Sequence, residues 1–375
     1  MKILYVITNL GSGGAEKLIE ESLPLMKNIE GIDINVLLLT DENNVFDQTL
    51  KECEINVDII PHKKLYSPKN IFYIRKYIIK GKYDIVHVHL FPAFYWVSLA
   101  AKLIFKNKPK FVYTEHNTHN RRREKGYLKP VEKFIYNSYD KIISISQQTE
   151  DNLIRWLKPK DSKKFIVIEN GVDIEKFINA KPYNKSEIDS EFTNDVKLIC
   201  MVGRFSEQKD QATLIKAMKQ IPDNVHLLLI GEGPLKEKNE DLAKEIGIKD
   251  RVHFLGFRND IPRILKTIDI FVLSSNWEGF GLAAVEGMAA GKPVIASDVP
   301  GLRDIVKGAG LLFPVGNSDE LTRKINVLVC ENSEYEEISK KCQERAKNYS
   351  LERMVEQYIK LYKEIKLEEF QIKSL

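Results

Sequence analysis

The chain has 375 residues, 43% of them apolar and 29% charged, with a net charge of +4. That mix excludes a disordered chain, which would need fewer apolar residues and a larger charge imbalance. No segment reaches the ~18 unbroken apolar residues of a membrane-spanning helix; the nearest, Phe94 to Phe105, is interrupted by Ser98 and Lys102. In chain order, ILYVIT (3–8) reads as a buried strand, short, apolar and β-branched. GSGGAEK follows as a turn, and residues 15–28 as a helix. Strands are predicted at INVLLL (34–39), DIVHVHL (84–90), KFVYTEH (110–116), KIISIS (141–146) and FIVIEN (165–170). Helices fall near 92–105 and 128–138, with another over 147–157 capped by Ser146. Residues 178–195 are polar and aperiodic, contain Pro182, and read as a linker.

Beyond the linker the rhythm restarts. Strands are expected at 197–203, 225–231, 252–256, 269–275 and 293–297, with helices at about 210–220, 235–246, 260–267 and 282–290. The end, 319–348 and 351–369, is helical and charged. No short repeat or low-complexity tract appears. Strands alternating with helices imply parallel sheets joined by right-handed crossovers. The fold class is therefore α/β, with two Rossmann-like domains facing across a cleft. The expected division is 1–180, 181–350, and a final helix in 351–375 that crosses back to the first domain. Ligands of such sheets bind beyond the carboxyl ends of the strands.

Charge is unevenly spread. Residues 61–133 carry 17 Lys and Arg against 4 Asp and Glu, leaving 40 basic and 49 acidic side chains elsewhere. Aromatics such as Tyr66, Phe72, Phe105 and Tyr127 are interleaved. Such a region suits an anionic partner, whether nucleic acid, acidic lipid or a phosphorylated substrate; the bland alternative is a solvated surface. The opening run has five consecutive apolar residues, Ile3 to Ile7, too few for a secretory segment, so no signal peptide is expected. Cys53, Cys200, Cys330 and Cys342 form no CxxC pair, so neither a disulfide framework nor a cysteine zinc site is indicated, and a cytoplasmic compartment fits.

Three segments carry chemistry. Gly11-Ser12-Gly13-Gly14-Ala15-Glu16 lies between a strand and a helix, where glycines admit a close ligand and free N–H groups meet an anion. It departs from a dinucleotide fingerprint at Glu16, and a tight turn without ligand is the plain alternative. Arg204 and Lys209 follow the first strand of the second half, where two cations can hold a diphosphate or simply decorate a loop. The most specific segment runs from Ser274 to Ser297: a strand, a Gly279-Phe280-Gly281 turn, and a small-residue helix ending at Gly291. Glu278 and Glu286 stand eight residues apart, too far to share one helical turn, so they touch different parts of one extended ligand. Carboxylates accept well from a vicinal diol, and the backbone N–H groups at 279–281 face an anionic centre. His87, His89, His116 and His119 raise the question of a metal, but a zinc site needs three or four converging ligands, and His87 and His89 read as ordinary strand residues.

The Glu278–Glu286 segment closely resembles the E-x7-E signature of family 4 retaining glycosyltransferases, enzymes of the GT-B fold that build bacterial surface polysaccharides and glycolipids. Other pieces stand in that family's order: the Gly-Gly turn with Glu16, Thr114-Glu115-His116-Asn117, Glu169-Asn170-Gly171-Val172-Asp173, the Arg204…Lys209 loop, Gly231-Glu232-Gly233-Pro234 and Phe254-Leu255-Gly256-Phe257. The resemblance covers about residues 1–345. It implies a GT-B fold and transfer of a sugar from a nucleoside-diphosphate sugar, UDP or GDP, to a saccharide or lipid-phosphate-linked acceptor with retention. Arg204 and Lys209 would neutralise the donor diphosphate. Glu286 would hold the ribose, while Glu278 with the backbone of Gly279, Phe280 and Gly281 meets the sugar. His116 would lie near that sugar, Gly13 and Gly14 near the donor phosphate, and the base near Gly231, Gly233, Phe257 and Arg258. Glu16 falls on the acceptor side; Arg121, Arg122 and Arg123, with Lys63, Lys106, Lys108 and Lys110, would meet acceptor or anionic membrane. No Asp-x-Asp motif is present, so no metal and no cofactor are expected. The expected location is the cytoplasmic face of the plasma membrane, without nucleic acid as a partner. The alternative is a protein of the same scaffold that binds nucleic acid or anionic lipid through the basic region without transfer activity.

Overall fold

The computed structural model describes residues 1–118 and 121–373, the side chains of Arg121 and of residues 368–373 excepted. The chain forms two compact units: Met1–Gly171 with the chain from Leu351 onward, and Val172–Ser350. Residues 172–180 fold with the second unit because Asp173 caps the short helix Ile174–Ile178, accepting from the Lys176 N–H at 3.0 Å. Phe177 on that helix is buried, and the helix packs against Leu282–Ala289.

The first unit is a seven-stranded parallel sheet in the order β3-β2-β1-β4-β5-β6-β7. Its strands are β1 Lys2–Ile7, β2 Asp33–Leu38, β3 Asn56–Ile59, β4 Ile85–His89, β5 Lys110–Glu115, β6 Lys141–Ser144 and β7 Phe165–Val167. Alternation along β1 divides the core. Ile3, Tyr5 and Ile7 pack on one face with helix Gly14–Lys27, and Leu4 and Val6 pack on the other. Ser146 caps helix Gln147–Leu157 as the spacing predicts, its Oγ accepting from the Thr149 N–H at 3.2 Å.

The final helix, Leu351–Lys373, lies on the first unit. Met354, Tyr358, Tyr362 and Ile365 join the core on the β1 Tyr5 face, beside helix Gly14–Lys27. A buried polar chain lies within that apolar layer. The Tyr362 hydroxyl stands 2.7 Å from the Tyr5 hydroxyl and 2.5 Å from Nδ1 of His87, whose Nε2 stands 2.7 Å from Thr114 Oγ1. Buried polar groups are tolerated because each finds a partner.

The second unit holds a six-stranded parallel sheet in the order β10-β9-β8-β11-β12-β13. Its strands are β8 Lys197–Val202, β9 Val225–Ile230, β10 Val252–Gly256, β11 Ile270–Leu273, β12 Val294–Ser297 and β13 Leu311–Phe313. In both sheets the order reverses beside the first strand, between β1 and β4 and between β8 and β11. A crevice opens beyond the carboxyl ends at such a point. Two strands, β3 and β13, are absent from the sequence expectation. Both are short edge strands, half-buried along most of their length, so neither carries the apolar run that marks a central parallel strand. The helix Lys69–Gly81 was likewise not foreseen, although Asn70, Ile74 and Ile78 repeat every four residues along its buried face.

Replacing Tyr362 by Phe strips a hydroxyl from both Tyr5 and His87 while keeping the ring. The first unit should lose about 1–3 kcal/mol, the cost of leaving buried polar groups unpaired, with its secondary structure unchanged at room temperature. Denaturant unfolding followed by circular dichroism reads both.

Candidate functional site

The loops after β8, β9 and β10 are tied to one another through their backbones. Gly203 N–H donates to Ile230 O at 2.9 Å, Gly231 N–H to Gly256 O at 2.8 Å, and Phe205 N–H to Glu232 O at 3.1 Å. This approach requires glycine. Gly231 has φ +136°, and a Cβ there would lie 2.3 Å from Gly203 O; a Cβ on Gly233 would lie 2.4 Å from Phe205 O. The expected base-side glycines therefore build the floor of the site.

On that floor the Gly203–Asp210 loop meets the Ser274–Gly281 loop. Asn276 N–H donates to Gln208 O at 2.8 Å, Asn276 Nδ2 to Glu207 O at 2.7 Å, and Gln208 Nε2 to Trp277 O at 3.2 Å. Asp210, at φ +46°, caps the next helix, its Oδ1 accepting from the Thr213 N–H at 3.4 Å and its Oδ2 from the Thr213 hydroxyl at 2.5 Å. Between the loops, Lys209 Nζ donates to Glu278 Oε2 at 2.7 Å, and Ser275 Oγ donates to the same oxygen at 3.1 Å. The ion pair is largely shielded, with side-chain exposures of 18% and 11%. Arg204 is exposed at the same rim.

Gly281 opens helix Leu282–Ala289 at φ +99°, where a Cβ would meet Leu302 Cδ2 at 2.4 Å. The N–H groups of the first turn are thus set beside Glu278. Glu286 is buried in this helix, 7% exposed. Phe280 serves the core: its ring packs edge-on against Tyr349 at 5.4 Å, leaving only its backbone for a ligand. Arg258 forks onto Asp260 at 2.8 and 2.5 Å, which holds that carboxyl down to about 2. Arg258 is therefore an internal ion-pair partner, while Phe257 is exposed. Trp277, at 41% exposed, stands in the same loop and received no role from the sequence. Its signal was present, an aromatic in an otherwise polar turn.

In the first unit the expected residues gather at the carboxyl ends of β1 and β5. Gly13 precedes helix Gly14–Lys27, and the Glu16 carboxylate folds back over it: a Cβ on Gly13 would lie 2.3 Å from Glu16 Oε2. Burial raises the Glu16 pKa. Gly13 and Gly14 are exposed. His116 follows β5, with its Nε2 2.9 Å from His89 Nδ1. Burial pushes its pKa down to about 4, so the ring is neutral at physiological pH.

Two members of the expected basic cluster face inward. Arg123 donates from Nη2 to Glu115 Oε2 at 2.6 Å, and the Tyr136 hydroxyl donates to the same oxygen at 2.5 Å. The Glu115 side chain is fully buried and Arg123 only 9% exposed, so Arg123 does not present its charge at the surface. Arg122 donates from Nε to buried Glu132 at 3.1 Å and lies 4.5 Å over the Phe91 ring. An arginine beside a buried carboxylate is drawn inward, because the carboxylate needs a compensating charge. The Arg121 side chain and His119 lie outside the described ones. The exposed positive charge is carried instead by lysines such as Lys106 and Lys108 beside Phe105, which is 85% exposed. Among the described residues no group of three His, Cys, Asp or Glu could hold a metal ion, and no helix is long and apolar enough to cross a membrane.

Known proteins resemble this chain in sequence and fold. The family described as Glycosyltransferase Family 4 matches residues 12–176, and Glycosyl transferases group 1 matches residues 184–349. An Escherichia coli protein named UDP-Gal:alpha-D-GlcNAc-diphosphoundecaprenol alpha-1,3-galactosyltransferase is 31% identical over 78% of this chain and 79% of its own. A Campylobacter jejuni protein named N-acetylgalactosamine-N,N'-diacetylbacillosaminyl-diphospho-undecaprenol 4-alpha-N-acetylgalactosaminyltransferase is 25% identical over 93% and 95%. Among solved structures, Anabaena HepE in complex with UDP-glucose superposes with a TM-score of 0.84 at 23% identity, covering 97% of this chain and all of that one. The fold is thus that of the GT-B enzymes, and a binding protein without transfer activity is not the favoured reading. The chain belongs to the family 4 glycosyltransferases and is a glycosyltransferase of glycan synthesis.

Proposed function

We propose that the protein transfers a sugar from a nucleoside-diphosphate sugar, UDP or GDP, to a saccharide or lipid-phosphate-linked acceptor, with retention and without a resident metal or cofactor. The observation that carries this reading is the meeting of Lys209 and Glu278 at 2.7 Å beside the first turn of helix Leu282–Ala289. A departing diphosphate gains negative charge as the glycosidic bond breaks. Lys209, exposed Arg204 and the N–H groups at 279–281 are positioned to oppose that charge, and being preorganised they need little rearrangement. Glu286, eight residues beyond Glu278, is assigned to the ribose hydroxyls. Phe257 and Trp277 offer exposed faces for a base or sugar.

The environment of Glu278 favours attack on the sugar from the face the diphosphate leaves. One Glu278 oxygen already accepts from Lys209 and Ser275, which makes the carboxylate a weaker nucleophile. The alternative is a covalent glycosyl-enzyme on Glu278. The names of the E. coli relative, with its UDP-Gal donor and diphosphoundecaprenol-linked acceptor, and of HepE with UDP-glucose support the donor and acceptor classes.

With an acceptor of that class, the protein is assigned to the cytoplasmic face of the plasma membrane as part of the same proposal. Support comes from a surface of the first unit where aromatics and lysines are exposed together. Lys102 Nζ sits 3.8 Å over the Phe134 ring, joining helix Lys129–Tyr136 to the turn that carries Phe105, Lys106 and Lys108. Arg75 Nε donates to Leu103 O at 2.9 Å, tying helix Lys69–Gly81 with its exposed Phe72 to the same turn. Aromatic and lysine side chains together suit an anionic interface.

Thermal shift against UDP, GDP, ADP and CMP tests the donor. One nucleoside diphosphate at a hundred times its Kd should stabilise the protein by about 2.7 kcal/mol, and Glu286→Ala should abolish that shift. No stabilisation by any of them at millimolar concentration would overturn the donor reading. Lys209→Ala should cut turnover about 10²–10³-fold, EDTA should leave the rate unchanged, and a sugar adduct trapped on Glu278 would refute same-face attack. Sedimentation with vesicles should rise with anionic lipid content and fall for Phe105→Ser/Lys106→Glu/Lys108→Glu, a variant whose nucleotide response stays intact. Sedimentation independent of lipid charge would remove the membrane from the proposal.

A further inference from the structure

Beneath His116 lies a second histidine that the transfer chemistry does not use. His89 ends β4 and is 3% exposed. Its ring stacks on Tyr5 at 5.4 Å and 13°, and stands 4.2 Å from the His87 ring, so it cannot turn without opening the core. Its Nδ1 is 2.9 Å from Nε2 of His116, and its own Nε2 is buried with no hydrogen-bond partner. His116 Nδ1 makes no hydrogen bond within the described residues and is not among the sealed nitrogens. It is the nitrogen left to meet a ligand.

We propose that His89 is a positioning residue that holds His116 in the Nδ1–H tautomer, so that His116 meets the transferred sugar as a hydrogen-bond donor and not as a proton acceptor. The proposal rests on the reading of His116 as a sugar contact. Its logic is a count of protons. Burial lowers the pKa of both rings, so each carries one N–H at neutral pH. A hydrogen bond between two ring nitrogens needs the proton on one and the lone pair on the other. If His116 donated, His89 would carry its only proton on Nε2, sealed in the core without an acceptor. If His89 donates, Nε2 keeps a bare lone pair, which can face C–H edges. An orphaned buried N–H is the rarer outcome, less tolerated than an unsatisfied acceptor. The proton of His89 therefore sits on Nδ1, the lone pair of His116 on Nε2, and the proton of His116 on Nδ1. A histidine so held can steady a sugar hydroxyl oxygen but cannot remove a proton from it.

Histidine-labelled protein read by long-range ¹H–¹⁵N correlation distinguishes the tautomers, with His116→Gln supplying the assignment. The expected wild-type result is protonated Nδ1 and bare Nε2 at His116. His89→Leu removes the partner of His116 Nε2 and lets the ring turn, so it should weaken UDP-glucose binding about tenfold, the loss of one hydrogen bond, while UDP binding is unchanged. His89→Asn keeps an N–H donor at the place of Nδ1 and should restore the binding, with His116 in the Nδ1–H form. An Nε2–H tautomer at His116 in the wild type, or unchanged UDP-glucose binding in a folded Leu variant, would overturn the inference. Should the Leu variant not fold, the wild-type and Asn spectra decide alone. The tautomer is read on the unliganded protein, so a failure of every nucleotide to bind would remove the donor reading without altering this result.

Discussion

Lys209 and Glu278 belong to different loops, 69 residues apart, and meet at 2.7 Å. The loops at the carboxyl ends of the second unit's strands are organised around that contact. Each charge would be costly to shield alone, and together they can be held away from water. The backbone bonds between Asn276 and Gln208 keep the two loops in register, and Ser275 fixes the carboxylate oxygen that receives the lysine. A cation is thereby stored beside the N-terminal turn of helix Leu282–Ala289; cation and helix terminus together favour an anion.

Close backbone approach is what admits those loops. Gly231 and Gly233 stand where any side chain would strike Gly203 or Phe205, and Gly301 where a Cβ would lie 2.4 Å from Glu278 O. The glycines of this half are packing residues first. They bring the ends of β8, β9 and β11 close enough for polar side chains to converge, and the ligand surface follows.

The first unit manages charge differently. Glu115 lies at the end of β5, fully buried, and takes Arg123, the Tyr136 hydroxyl and the Asn117 N–H. His116, one residue further, is carried on this clamped segment and braced from below by His89. The polar chain from Tyr5 through Tyr362 and His87 to Thr114 passes under the same strands and binds the last helix to them. Of the histidines weighed as metal ligands, His89 pairs with His116, and His87 stands between the Tyr362 and Thr114 hydroxyls.

Period and punctuation in the sequence were enough for the α/β class, the central strands, the cap at Ser146, and the segments that carry Arg204, Lys209, Glu278 and Glu286. These features are local: a buried parallel strand needs an apolar run, and a helix start needs an acceptor. The edge strands β3 and β13 were not legible, because an edge is defined by its missing neighbour. Nor could charge counting tell Arg122 and Arg123 from Lys106 and Lys108. All four read as surface cations, and only the fold brings buried Glu132 and Glu115 beside the two arginines. Arg258, expected beside the nucleobase, is likewise engaged by a carboxylate, that of Asp260. The sequence by itself determined which residue types stand at the ends of which strands. Tertiary structure alone decided which of those charges face one another, because pairing across loops depends on distances that close only once the sheet has formed.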